Sequence, residues 1–114
     1  MPRILLVNND FDTMTLLQMW LERKNYKVKY TGSVEEVPHL VKKFKPDVVL
    51  IDVMESATAE LLKADAATRN VRVILMTGYT LPKKTTNAVK VDDVIEKPFN
   101  LPLLEKKIEA LIRA

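Results

Sequence analysis

The chain has 114 residues, 47% of them hydrophobic and 29% charged, a composition that fits one folded domain and excludes a disordered chain. It has no cysteine, so disulfides and thiolate metal sites are excluded, and its two glycines, against about eight at average usage, exclude glycine-rich phosphate loops. The net charge of +3 is spread over lysine pairs such as Lys42-Lys43, Lys83-Lys84 and Lys106-Lys107, without the concentrated stripe and interleaved aromatics of a nucleic-acid surface.

In chain order, Ile4 to Val7 predicts a first strand, and Asp12 to Lys24 places Leu16, Leu17, Trp20 and Leu21 at helical spacing. Val28 to Tyr30 predicts the second strand. Ser33 and Glu36 have capping-box spacing ahead of Val37, Leu40, Val41 and Phe44, which predicts a helix from near Val34, or one that begins at Pro38. Val48 to Ile51 is apolar enough for a strand buried on both faces. The good helix formers of Ala57 to Thr68 predict a third helix, and Val71 to Met76 the fourth strand. A short helix is predicted over Pro82 to Val89, a fifth strand at Val94 to Ile95, and a last helix over Leu101 to Ile112 with Leu104, Ile108 and Leu111 inward.

Five strands alternating with about five helices call for a parallel sheet covered on both faces, a three-layer α/β sandwich. A chain of this length buries roughly two thirds of its unfolded surface, so residues 1–114 form a single domain on one core. Function in such folds gathers in loops at the carboxyl ends of strands. The residues there are Asn8, Asn9 and Asp10, then Asp52, then Thr77 and Gly78, then Lys97 and Pro98. Met14, Met19, Trp20 and Met76 read as packing, His39 as a surface or half-buried histidine, and Asp92 and Asp93 as the loop before the last strand.

An aspartate in Asp47-Val-Val-Leu-Ile-Asp52, a hydroxyl in Ile-Leu-Met-Thr77-Gly78 and a lysine in Glu96-Lys97-Pro98-Phe99, in that order on successive strand ends, resemble response-regulator receiver domains. The resemblance spans essentially the whole chain and implies a flavodoxin-like sheet of order 2-1-3-4-5, the order that one member of this family illustrates in general accounts of doubly wound folds. It also implies a bacterial phosphorelay protein in which Asp52 is the phosphoacceptor, taking a phosphoryl group from a sensor histidine kinase or phosphotransfer protein. Thr77 and Lys97 would then receive the phosphate, and a cis peptide bond is implied before Pro98. The output would be altered contact with an effector protein, by a monomer or weak dimer that is not itself an enzyme. Without phosphorylation, Asp52 reads as a helix cap or as an ion-pair partner of Lys97.

The sequence departs from that family at the cation site. Counting back from Asp52 by the family's usual gap lands on Asn9, so Asn8 and Asn9 stand where an acidic pair that holds Mg²⁺ is usual. At ~4 Å and an effective dielectric of ~20, each lost charge removes on the order of 4 kcal/mol of attraction before desolvation and screening. The remaining ligands would be Asn9, Asp10, Asp52 and the backbone of Met54, a weak Mg²⁺ site or none, and Asp10 alternatively caps the helix that follows. The loop from Val53 to Ala57 is shorter than usual, and Val94 occupies the place of an aromatic residue that turns with the threonine in other members. Such changes leave open a receiver fold that binds partners without phosphorylation. No apolar run approaches the roughly eighteen residues of a membrane span, and the stretch after Met1-Pro2-Arg3 is too short for a signal peptide, so a cytoplasmic protein with no membrane contact is expected.

Overall fold

The computed structural model describes residues 2–78, 91–97 and 99–113. Five strands, β1 (Arg3–Val7), β2 (Lys27–Thr31), β3 (Val48–Asp52), β4 (Arg72–Gly78) and β5 (Asp93–Lys97), form one parallel sheet in the order β2-β1-β3-β4-β5. Four α-helices lie among the described residues: α1 (Phe11–Arg23), α2 (Val37–Phe44), α3 (Ser56–Ala64) and α4 (Leu101–Arg113). The helix predicted over Pro82 to Val89 and the peptide bond before Pro98 lie outside the described residues.

Alternation along each strand divides the core in two. Ile4, Leu6, Leu50, Ile74, Met76 and Ile95 pack on one face against Met14, Leu17 and Leu21 of α1 and Leu104 and Ile108 of α4. Leu5, Val7, Val49, Ile51, Val73 and Leu75 pack on the other against α2 and α3. Because β3 sits between β1 and β4 with helices on both sides, all five of its residues are buried, Asp52 included. The strands run longer than their apolar cores. Asp52, Thr77, Gly78 and Lys97 lie in the last two positions of their strands and so are held by sheet pairing.

Three local expectations change. Ser33 makes no side-chain cap: its hydroxyl donates to Glu35 (2.9 Å), while Glu36 accepts from Thr31 Oγ1 (2.9 Å), so Val34–Glu36 is a 3₁₀ turn. The helix proper begins at Val37 with Pro38 in its first turn, where a missing N–H is tolerated. Helix α3 stops at Ala64, short of Thr68. Asp65 is extended there; its side chain takes the N–H of Ala67 (2.9 Å) and its carbonyl those of Thr68 and Arg69, offering the backbone partners other than those of a continuing helix. Leu16 is exposed, the buried face of α1 being made by Met14, Leu17 and Leu21. Met76 is buried and Trp20 partly so, whereas Met19 and His39 are exposed.

Leu50 has no exposed surface and sits at the centre of the sheet, so Leu50→Ala should lower unfolding free energy by about 2–5 kcal/mol, read from urea denaturation.

Candidate functional site

The parallel register builds the site. Val7 pairs with Ile51, so the next residues, Asn8 and Asp52, end neighbouring strands side by side, and Lys97 ends β5 two strands from Asp52. Asp52 is 7% exposed, and a carboxylate so placed requires donors. Three reach it. Oδ1 accepts the backbone N–H of Met54 (2.9 Å), which makes Asp52 the N-cap of the 3₁₀ turn Val53–Glu55. Oδ2 accepts from the side-chain amide of Asn8 (3.2 Å) and from Nζ of Lys97. Both structural roles considered for Asp52, cap and ion-pair partner, are therefore present together.

Asn8 is itself buried and faces two ways. Its Oδ1 accepts the N–H of Asp10 (3.0 Å) while its NH₂ end points to Asp52. The reverse amide orientation would set oxygen against the Asp52 carboxylate and NH₂ against an N–H, so the two partners fix it. Asp10 is the N-cap of α1, accepting from Thr13 N (3.3 Å) and Thr13 Oγ1 (2.7 Å). The Thr13 hydroxyl, then its backbone N–H, hold the Asp10 carboxyl below its ordinary value, with Lys97 adding attraction against a small opposing effect of desolvation. Asn9 is exposed.

These groups surround an open cavity of about 490 Å³, lined by Asn8, Asn9, Asp10, Asp52 and Lys97, with Met54 and Glu55 closing one side. Met54 presents an almost fully exposed side chain, so its backbone is the part that serves the site. Thr77 is not among the described residues lining the cavity. It is buried, and its hydroxyl donates to the Ile95 carbonyl at 3.5 Å, the long limit of such a bond. The structure thus gathers Asp52, Lys97, Asn9, Asp10 and Met54 at one opening, and leaves Thr77 buried near the end of the adjacent strand β4. Asn8, which binds Asp52 directly, and Glu55 on the rim were not singled out as ligands from sequence; strand pairing is the signal that places Asn8 beside Asp52.

The receiver-domain profile matches residues 4–109. The chain belongs to the response regulator receiver domain family. A relative, the transcriptional regulatory protein CpxR of Escherichia coli, is 32% identical over 99% of this chain and 50% of its own length. The receiver spans about half the length of the transcriptional regulators it matches. Among solved structures, the signal receiver domain of a DNA-binding response regulator from Colwellia psychrerythraea superposes with a TM-score of 0.87 at 28% identity, covering all of both chains. The receiver domain of a sensor histidine kinase from Pseudomonas aeruginosa, with magnesium coordinated in its active-site cleft, gives a TM-score of 0.89 at 19% identity, covering 99% of this chain and 98% of that one.

Receiver domains generally bind Mg²⁺ in an acidic site. The donors of this receiver do not fit that ion. The amide beside Asp52 turns its NH₂ end to the carboxylate, both oxygens of Asp10 are engaged by Thr13, and no group of three ligating side chains suited to a metal occurs among the described residues.

Two predictions follow from this geometry. Lys97→Met leaves Asp52 without its cation; with Lys97 about one-third exposed, unfolding free energy should fall by about 1–2 kcal/mol, and adding Asp52→Asn should recover part of it, as read from urea midpoints. The ionised Asp10 cap stabilises the fold above the carboxyl's ordinary value of 3.8, and that contribution is lost as pH falls through its lower folded value. The stability gap between the native receiver and Asp10→Ala should therefore be widest at neutral pH and narrow on the acid limb, followed by circular dichroism.

Proposed function

We propose that this receiver takes part in two-component signalling by accepting a phosphoryl group on Asp52 from a phosphohistidine of a sensor kinase or phosphotransfer protein. The observation that carries the proposal is the Asp52–Lys97 pair at an open cavity on the carboxyl edge of the sheet. A carboxylate oxygen of Asp52 would attack phosphorus, forming the acyl phosphate as the N–P bond breaks and its electron pair returns to the imidazole. Lys97 already lies against that carboxylate and would remain beside the transferred group. Thr77 could reach it by rotating away from Ile95, giving up one long hydrogen bond worth about 0.5–1.5 kcal/mol at most.

Phosphorylation raises the charge at Asp52 from −1 to about −2, and Lys97 and the Thr77 hydroxyl would interact more strongly with the modified state than with the bare carboxylate. That difference is the energy available to move the β4 and β5 ends. The receiving protein would be an effector that reads this movement, either on another chain or elsewhere in the same protein. A cytoplasmic setting fits this role, and among the described residues no helix is long and apolar enough to cross a membrane.

One observation favours a second reading, a receiver fold that binds its partner without phosphorylation. Asn8, Lys97 and the Met54 N–H together occupy Asp52 from three directions, which stabilises the unmodified carboxylate. Val94, in the place where an aromatic residue usually turns with the threonine, packs as a small half-buried side chain against the α2–α3 half of the core and offers no ring to reorient.

Acetyl phosphate followed by intact-mass spectrometry decides between the two. The first reading expects one phosphoryl increment on the native chain and none on Asp52→Ala; an unmodified native chain, with partner affinity unaltered by Asp52→Ala, would leave the second reading standing.

A further inference from the structure

We infer that the Asn8 amide takes the place of the divalent cation beside Asp52 in the receiver pocket, so that the resting site, with the positive charge of Lys97, is complete without metal. The inference rests on reading the cavity as a receiver pocket, and it is independent of whether Asp52 is phosphorylated.

A hard cation beside Asp52 Oδ2 needs oxygen atoms converging on it. The nearest side chain instead directs an amide NH₂ at that oxygen from 3.2 Å, and the amide's own oxygen is turned away onto the Asp10 N–H. A cation cannot share the space between Nδ2 and Oδ2 without displacing Asn8. Rotating the amide to present its oxygen would break both of its hydrogen bonds and leave the Asp10 N–H without that acceptor.

Charge leads to the same conclusion. Lys97 supplies one positive charge directly to Asp52, so the pair is neutral before any ion arrives. Asp10 is held on the first turn of α1 by both of its oxygens, and Asn9 contributes no charge. An ion entering would have to compete with a covalently attached ammonium already in contact.

Asn8→Asp reverses this arrangement in a single atom-for-atom step. It removes the donor to Oδ2 and places a second carboxylate within about the same distance, a like-charge contact that costs stability unless a cation bridges it.

Thermal unfolding with and without millimolar magnesium chloride, against potassium chloride of equal ionic strength, tests this. The native chain should melt at the same temperature in both salts. Asn8→Asp should melt several degrees lower in potassium chloride and regain the loss in magnesium chloride, while Asn8→Ala should melt lower and stay unresponsive. Calorimetric titration should find Mg²⁺ bound by Asn8→Asp/Asn9→Asp and no millimolar-range binding by the native chain.

A native chain that is stabilised by magnesium, or that binds it as tightly as the double variant, overturns the inference. So does an Asn8→Asp chain that folds and ignores the ion. Should Asn8→Asp fail to fold, the titration of the native chain alone decides, since detectable millimolar-range Mg²⁺ binding there is already fatal. Phosphorylation by acetyl phosphate is read separately by mass, so loss of the phosphoacceptor reading would leave these melting curves unaffected.

Discussion

A carboxylate placed at the end of a wholly buried strand has to be matched by donors, and much of the site's arrangement follows from how Asp52 is matched. Its neighbours in space are dictated by the sheet: Asn8 because β1 pairs with β3 in register, Met54 because the chain turns immediately into a 3₁₀ turn, and Lys97 because β5 runs one strand beyond β4. Each donor comes from a different element. The ends of β1, β3 and β5 are therefore tied to one group, and a change in the charge of that group is felt by three segments at once.

The ties differ in strength, and this orders what can move. The Lys97–Asp52 contact is charge-assisted and partly shielded from water, the kind of hydrogen bond roughly twice as strong as a neutral one. The Thr77 hydroxyl holds the Ile95 carbonyl at 3.5 Å, among the weakest contacts near the cavity. The β5 strand is braced from its other end: Asp92 accepts from Lys63 at 2.6 Å and from the Val73 N–H at 2.8 Å, and Asp93 pairs with Lys107 at 2.9 Å. The start of β5 is thus anchored independently of the Lys97–Asp52 contact at its end.

Much of this was legible in the amino-acid sequence because it rests on periodicity and on order along the chain. Apolar runs that end in Asp52, Thr77 and Lys97 are one-dimensional signals, and a parallel sheet turns their order into proximity. What escaped was set by partners distant in sequence. Ser33 and Glu36 have the spacing of a capping box, yet Thr31 on the preceding strand takes the Glu36 carboxylate. Leu16 belongs to the apolar run of α1, yet the buried face is made by Met14, Leu17 and Leu21 and Leu16 falls outside it. Asn8 looked like a mere vacancy in an acidic pair, and only the register of β1 on β3 shows its amide as a direct ligand of Asp52.

A site completed by the Asn8 amide in place of an ion also alters how a modified Asp52 would behave. A phosphoryl group brings the local charge to about −2, while the fixed positive charge in contact with the site remains that of Lys97. Asp10 and Glu55 both line the same cavity, so the unbalanced charge acts on them by repulsion as it draws Lys97 inward. Asp10 is also the cap of α1, held there by Thr13, and any force on its carboxylate is transmitted to the first turn of that helix. Phe11 is largely exposed on this turn and meets Tyr30 of β2 edge-on, with ring centres 6.1 Å apart. In this receiver the electrostatic consequence of such a modification would be directed toward the start of α1 as well as toward the end of β5, because the amide at Asn8 links the Asp10 backbone to the very oxygen whose charge would change.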